Sequence, residues 1–302
     1  MAGAVVYRPP ACPGDGFFLS SRSDRMTSHS HTIDPDSSTT NRRVTRVVLR
    51  GLENVDVPAD VIESGVGPRV VFLHGLVGLN DHWEDVVRKG DRVFRSTMLQ
   101  LPLLGLKGDD CSIHGATELT ARFLAQHMRE PVVLVGNSFG GHVALKLAIE
   151  RPELVRGLVL AGASGLIERS MVREVQIRPS REWLVEKIGE LFFDRAKMNP
   201  ADVDRAHAEL SQRGHARGMV KLSRSARRNH LGDEIHRITA PTLLVWGRQD
   251  IVTPPEAALE FESKIKSSKL VWLERCGHAP MIECADEFAN LLQEFVRELP
   301  AR

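Results

Sequence analysis

The chain has 302 residues, 42% apolar and 26% charged, with a formal net charge of +1. That length buries a core without disulfides or metals, and the near-neutral charge provides no global field favouring nucleic acid or an anionic membrane as partner. No run of ~18 apolar residues occurs, so stable membrane insertion through a helix is not expected.

Residues 1–43 are rich in Ser, Thr, Asp, Pro and Arg and lack a sustained apolar period, which predicts a disordered tail. Gly16-Phe17-Phe18-Leu19 is shorter than the apolar core of about 7–15 residues that a secretory signal needs. Asp15, Asp24, Asp34 and Asp36 interrupt any transit-peptide pattern, and Met26 is an alternative start. Cys12, Cys111, Cys276 and Cys284 form neither a C-x-x-C pair nor a zinc-like spacing, so they read as free thiols of a reducing, cytoplasmic compartment with no metal site.

Beyond the tail, Val44–Leu49 and Val55–Ile62 read as two strands of a hairpin broken at Gly51. Arg69–Leu73 is a short apolar strand ending at His74-Gly75. A helix is expected over Asp81–Lys89, a strand over Val93–Leu101, a helix over Ala116–Met128 and a strand over Pro131–Val135. A helix over His142–Glu150 and a strand over Gly157–Leu160 follow. Strands apolar throughout, alternating with helices, indicate a parallel sheet covered on both faces. From 166 to 236 the pattern is helical, as at Trp183-Leu184, Ile188 and Leu191-Phe192, with no strand. The alternation resumes with a strand at Thr242–Trp246, a helix at Pro255–Lys264, a strand at Lys269–Leu273 and a helix at Asp286–Leu299. The expected organisation is an α/β core, 44–165 and 237–302, holding a helical insertion, 166–236.

The strongest chemical signal is Gly136-Asn137-Ser138-Phe139-Gly140, between an apolar strand and a helix. A strand that reverses sharply into a helix pushes one side chain above the sheet, and a Cβ on either flanking glycine would collide with the crossing backbone. The helix N-terminus supplies unsatisfied N–H groups and partial positive charge where an oxyanion would form. A serine hydroxyl needs a base. In this architecture the acid and the histidine come later in the chain. Asp250 follows the strand Thr242–Trp246 and His278 follows Lys269–Leu273, so all three residues fall beyond carboxyl ends of strands. Ser138 is the expected nucleophile, His278 the base and Asp250 its orienting acid. Glu168 and Glu283 are fallback acids. The backbone N–H groups of Phe139 and Leu76 are the expected oxyanion donors, with His74 a structural hydrogen-bonding residue.

The blocks Val70–Gly75, Gly136–Gly141, Pro241–Asp250 with Val252-Thr253-Pro254, and Gly277-His278-Ala279-Pro280 with Glu283 resemble the α/β-hydrolase superfamily, in its lid-bearing serine esterase and carbon–carbon hydrolase-like branch. The resemblance spans about residues 55 to 298. It implies an α/β-hydrolase fold: an eight-stranded, mostly parallel sheet with helices on both faces, a helical lid after the sixth strand, and no cofactor. Haloalkane dehalogenases and most epoxide hydrolases carry Asp where Ser138 stands. Carbon–carbon hydrolases of ring-cleavage products usually have Gly-Pro-Gly in the oxyanion loop and Trp after the catalytic His. Here those positions read Gly75-Leu76-Val77-Gly78 and Ala279.

The expected activity is therefore hydrolysis of a small to medium carboxylic ester through an acyl-enzyme on Ser138. A carbon–carbon hydrolase of diketones with the same triad, acyl transfer to another acceptor, and a non-catalytic binding protein or receptor remain open. So does the oligomeric state.

Three features concern substrate selection. Gln100-Leu101-Pro102-Leu103-Leu104-Gly105 departs from the Asp-x-Pro-Gly-x-Gly turn of relatives and is expected to shape the pocket. Trp183, Phe192 and Phe193 fit either an acyl pocket or packing of the insertion. Arg217, Lys221, Arg224 and Arg228 recur on one helix face. They would attract an anionic substrate or carrier, or form a solvated face balanced by the insertion's own acids.

Overall fold

A computed structural model describes residues 42–77, 80–168 and 179–300. The expected tail and the alternative start at Met26 lie outside these residues, except for Arg42, which pairs with Glu84, and Arg43, which opens the first strand. Gly78 of the expected oxyanion loop and 169–178 of the insertion also lie outside them.

Eight strands form one sheet: β1 (Arg43–Arg50), β2 (Asp56–Gly65), β3 (Arg69–Leu73), β4 (Arg95–Gln100), β5 (Val132–Asn137), β6 (Val155–Ala161), β7 (Thr242–Gly247) and β8 (Ser268–Leu273), in the order β1-β2-β4-β3-β5-β6-β7-β8. β2 runs antiparallel to β1 and β4, and every other pairing is parallel. The central strands are apolar throughout because both faces are covered. Val132 and Leu134 of β5 enter one core with Leu158 and Leu160 of β6. Val133 and Val135 enter the other with Val159 and Ala161. The first core is closed by α2 (Ile113–His127), α3 (Phe139–Glu150) and α7 (Pro255–Lys264). The second is closed by α1 (Glu84–Gly90) and α8 (Ala285–Glu298).

Element boundaries differ from the sequence expectation where local hydrogen bonds override the apolar pattern. β4 begins at Arg95 rather than Val93 because Val93 and Phe94 donate their N–H groups to the Gly90 carbonyl in a turn (2.8 and 3.0 Å). α2 starts at Ile113 because Ser112 caps it, its hydroxyl accepting from the Gly115 N–H at 2.9 Å. α3 begins at Phe139, immediately after the reversal, rather than at His142.

Between β6 and β7 lie α4 (Arg181–Gly189), α5 (Pro200–Ser211) and α6 (His215–Arg228), with no strand among the described residues of this stretch. Ser180 caps α4 and Asn199 caps α5, where Pro200 takes the first helical position. The Leu103–Gly105 turn seats α6 rather than facing the apolar cavity described below. Leu103 and Leu104 are buried, and a Cβ on Gly218 of α6 would stand 2.3 Å from the Leu104 carbonyl oxygen. The expectation that residues 100–105 shape the pocket is therefore corrected: their leucines satisfy the core, and their backbone props a helix. Among the described residues no helix is long and apolar enough to cross a membrane.

Candidate active site

The reversal from β5 into α3 is made by one residue, Ser138, at φ 53° and ψ −119°. A non-glycine residue is held at positive φ only where its surroundings dictate it. Here the Ser138 N–H donates to the Ala161 carbonyl at 3.2 Å and its own carbonyl accepts from the His142 N–H at 3.1 Å. The flanking glycines admit the crossing: a Cβ on Gly136 would stand 2.5 Å from the Gly140 carbonyl oxygen, and one on Gly140 would stand 2.4 Å from that of Leu73.

Asp250 sits past the end of β7, 2% exposed, in a turn of its own making. Its Oδ1 accepts from the N–H groups of Val252 (2.8 Å) and Thr253 (3.0 Å). Its Oδ2 accepts from the Thr253 hydroxyl (2.8 Å) and lies 2.8 Å from His278 Nδ1. That contact sets the imidazole tautomer with its proton on Nδ1 and leaves Nε2 as the basic nitrogen. Gly162, at φ +51°, allows the pair to meet, since a Cβ there would lie 2.9 Å from both Asp250 Oδ2 and His278 Nδ1.

The His278 loop is held from three sides. Asn137 Nδ2 donates to the His278 carbonyl (3.1 Å) and to that of Ala161 (2.9 Å). The His278 N–H donates to the Leu191 carbonyl at 2.7 Å. Glu283, a fallback acid in the sequence reading, is buried and receives three backbone N–H groups: Gly277 at 2.7 Å on Oε1, and Phe193 and Asp194 at 2.9 and 3.1 Å on Oε2. It fastens the stretch after α4 to the histidine loop, while Asp250 alone of the three candidate acids bonds the ring. Glu168 lies within electrostatic reach of His278, and burial pushes its carboxyl above the usual range against the pull of Arg227 and His278.

Ser138 and His278 line one cavity of about 450 Å³ together with Leu76. A Cβ on Gly75 would lie 3.6 Å from Ser138 Cβ, so the loop carrying Leu76 passes directly beside the serine. Phe139 is buried, and as the first residue of α3 its N–H has no intrahelical acceptor. His74 is buried with Nδ1 2.7 Å from the Gly75 carbonyl, and burial lowers its pKa, which keeps it neutral and structural. Of the three aromatic candidates only Phe192 lines the cavity. Trp183 packs into the core, and Phe193 is 44% exposed beneath the Arg275 guanidinium.

The remaining cavity wall is apolar near His278, through Val252, Ala279 and Met281, and polar along α5. There Arg205 pairs with both Asp81 and Asp202, and His82 Nε2 lies 3.5 Å from Asp202 Oδ2. Asn137 and Thr253 stood inside motifs visible in the sequence, but nothing marked their contacts. Gly162 had no signal at all.

A parallel α/β sheet with helices on both faces and a serine at a strained strand-to-helix reversal defines a hydrolase class. Residues 70–291 match the alpha/beta hydrolase family, and the chain belongs to it. The eight-stranded sheet described above is the α/β-hydrolase fold. A pimeloyl-[acyl-carrier protein] methyl ester esterase of Nitrosomonas europaea is 26% identical over 249 residues, 75% of this chain and 95% of the relative. A 2-hydroxy-6-oxo-6-(2'-aminophenyl)hexa-2,4-dienoic acid hydrolase of Metapseudomonas resinovorans is 28% identical over 254 residues, 78% and 86% of the two chains. Among solved structures, a serine hydrolase involved in carbazole degradation superposes with a TM-score of 0.73 at 25% identity, covering 84% of this chain and 99% of its own.

Proposed function

We propose that this chain is a serine hydrolase of small to medium carboxylic esters, acting through an acyl-enzyme on Ser138. The carrying observation is a serine held at positive φ in the same cavity as an imidazole whose Nδ1 lies 2.8 Å from a buried aspartate. His278 Nε2 takes the Ser138 proton as Oγ attacks the ester carbonyl. Asp250 stabilises the imidazolium, and the N–H groups of Leu76 and Phe139 receive the oxyanion. His278 then protonates the departing alkoxide, and a water attacking the acyl-enzyme reverses the proton path. α4, α5 and α6 act as the lid, and α4 and α5 supply cavity wall. The free thiols Cys111, Cys276 and Cys284 fit a reducing, cytoplasmic setting.

Two features favour an ester over the ring-cleavage acids named for relatives. The cavity cation Arg205 is already engaged by Asp81 and Asp202. The wall nearest His278 is apolar. A binding scaffold has no use for a strained serine, which argues for catalysis over the receptor reading.

The test is labelling by a fluorophosphonate probe and burst kinetics on p-nitrophenyl esters of graded chain length. Ser138→Ala is expected to abolish labelling and to lower kcat on the order of 10⁴-fold or more. Undiminished turnover in that variant would end the proposal, and turnover of vinylogous diketones but not esters would replace it with the carbon–carbon reaction.

A further inference from the structure

A second concavity of about 840 Å³ lies between α6 and the start of α2 and shares no lining residue with the cavity holding Ser138. One wall is the exposed face of α6, carrying Arg217, Lys221, Arg224 and Arg228. The opposite wall begins at Cys111 and includes the capping Ser112 and the exposed His114, so the positive end of the α2 dipole faces the same space. Among the described residues no acidic side chain lines it.

Among the described residues, no ion pair joins the arginines of this face to an acid of the insertion. Several of its described acids pair elsewhere: Asp204 with Arg181, Glu186 with Arg195, Glu190 with Lys187, Asp202 with Arg205, Glu209 with His215 and Glu234 with Arg237. Among the described residues no carboxylate stands within ion-pair distance of Arg217, Arg224 or Arg228, while Lys221 donates to the Gly108 carbonyl. Four like charges on one face of one helix repel one another, a local cost that an anionic ligand removes.

We propose that this groove binds a small-molecule ligand carrying two or more phosphate groups. The cations extend along roughly 16 Å of helix axis, so a single carboxylate would engage one of them and leave the others unpaired. Guanidinium forks match phosphate oxygens two at a time, which suits three arginines better than it suits a surface of lysines. An anionic membrane fits less well. The opposite face of α6, with Ala216, Met219, Leu222 and Ala226, is buried in the protein and has no apolar surface to insert. A hollow lined by Leu210–Gly214, Ala216 and Arg217 adjoins both cavities, Gln212 bordering it and the Ser138 cavity, Arg217 bordering it and the groove. The phosphates could thus belong to a separate effector or to the far end of an extended substrate, and the two sources give different kinetics.

The experiment titrates inorganic triphosphate into the full chain by calorimetry at low salt, in wild type and in the Arg224→Glu/Arg228→Glu double variant. Both side chains are exposed and neither lines the Ser138 cavity, so the variant is expected to fold and to hydrolyse p-nitrophenyl acetate at the wild-type rate. Binding in wild type that weakens at least tenfold in the double variant, and that falls as salt is raised, supports the site. Triphosphate changing the turnover of a neutral ester marks an effector. Inhibition seen only against a phosphorylated ester marks the end of the substrate. Absence of triphosphate binding in wild type, or equal binding by both proteins, overturns the proposal. So does retention of an acidic protein or nucleic acid without triphosphate binding. Calorimetry does not depend on turnover, so loss of the esterase reading would leave this result standing.

Discussion

Asn137 and His278 are joined although 141 positions separate them: the amide beside the strained serine donates to the histidine's backbone carbonyl at 3.1 Å and to that of Ala161 at 2.9 Å. The residue preceding the proposed nucleophile thus fixes the height of the loop that carries the proposed base. Asn137→Ala leaves both carbonyls buried without that donor, at a cost on the order of 2 kcal/mol. With the imidazole free to drift, kcat for a p-nitrophenyl ester is expected to fall about tenfold or more, with KM little changed, because an orientation used in the transition state is lost. A variant with kcat within twofold of wild type would show that the loop holds itself.

The backbone at Ser138 has a stability consequence that separates Gly from Ala. Removal of the hydroxyl in either variant is expected to end turnover, but only Gly relieves a Cβ held at φ 53°. That relief is worth about 1–3 kcal/mol, offset by about 0.4–1 kcal/mol of extra freedom in the unfolded chain. Ser138→Gly is therefore expected to melt a few degrees above Ser138→Ala. Differential scanning calorimetry on the two proteins decides it, and equal or reversed melting temperatures would remove strain from the account.

The sheet could be read from the sequence because buried parallel strands must be apolar at every position, as Val132–Val135 and Leu243–Val245 are. The strand-to-helix reversal was equally visible, since backbone crowding at Gly136 and Gly140 admits no side chain. Contacts that depend on distant chain meeting distant chain were not readable. Gly162 looks like any loop glycine until Asp250 and His278 close over it. The role of Glu283 emerges only when the stretch after α4 folds back onto the histidine loop, and Leu103 and Leu104 read as pocket formers although they support a helix. Ends of elements slipped where a cap such as Ser112 or a turn at Gly90 outranks periodicity.

Glu283 offers both oxygens to three N–H groups from two segments. Glu283→Gln keeps size and shape but replaces one accepting oxygen with a donor, which must then face at least one of those N–H groups. The expected cost is about 2–4 kcal/mol, with Glu283→Ala at the upper end. Because Leu191 and Phe192 sit on the fastened segment and line the cavity, faster amide exchange is expected at both 191–194 and 276–278. Exchange confined to one of the two segments would mean that the carboxylate does not couple them.

The acid stability of the fold carries a signature of His142, whose ring is buried beneath the insertion with Nε2 3.3 Å from Asn229 Oδ1. Burial lowers its pKa from 6.5 to about 4. Between those values the unfolded chain takes up a proton that the folded protein refuses, so unfolding binds protons and stability falls as pH falls. The contribution is complete above pH 6.5, is lost progressively on the way down to about pH 4, and amounts to about 3 kcal/mol. Glutamine at this position keeps a polar group for Asn229 and cannot titrate. Urea unfolding at intervals from pH 7 to pH 4 is therefore expected to show a shallower loss in His142→Gln than in wild type. The remaining slope includes His74, whose pKa burial lowers in the same direction. Parallel curves for the two proteins would place the acid sensitivity elsewhere, and a steeper curve for the variant would reverse the sign assigned to the buried imidazole.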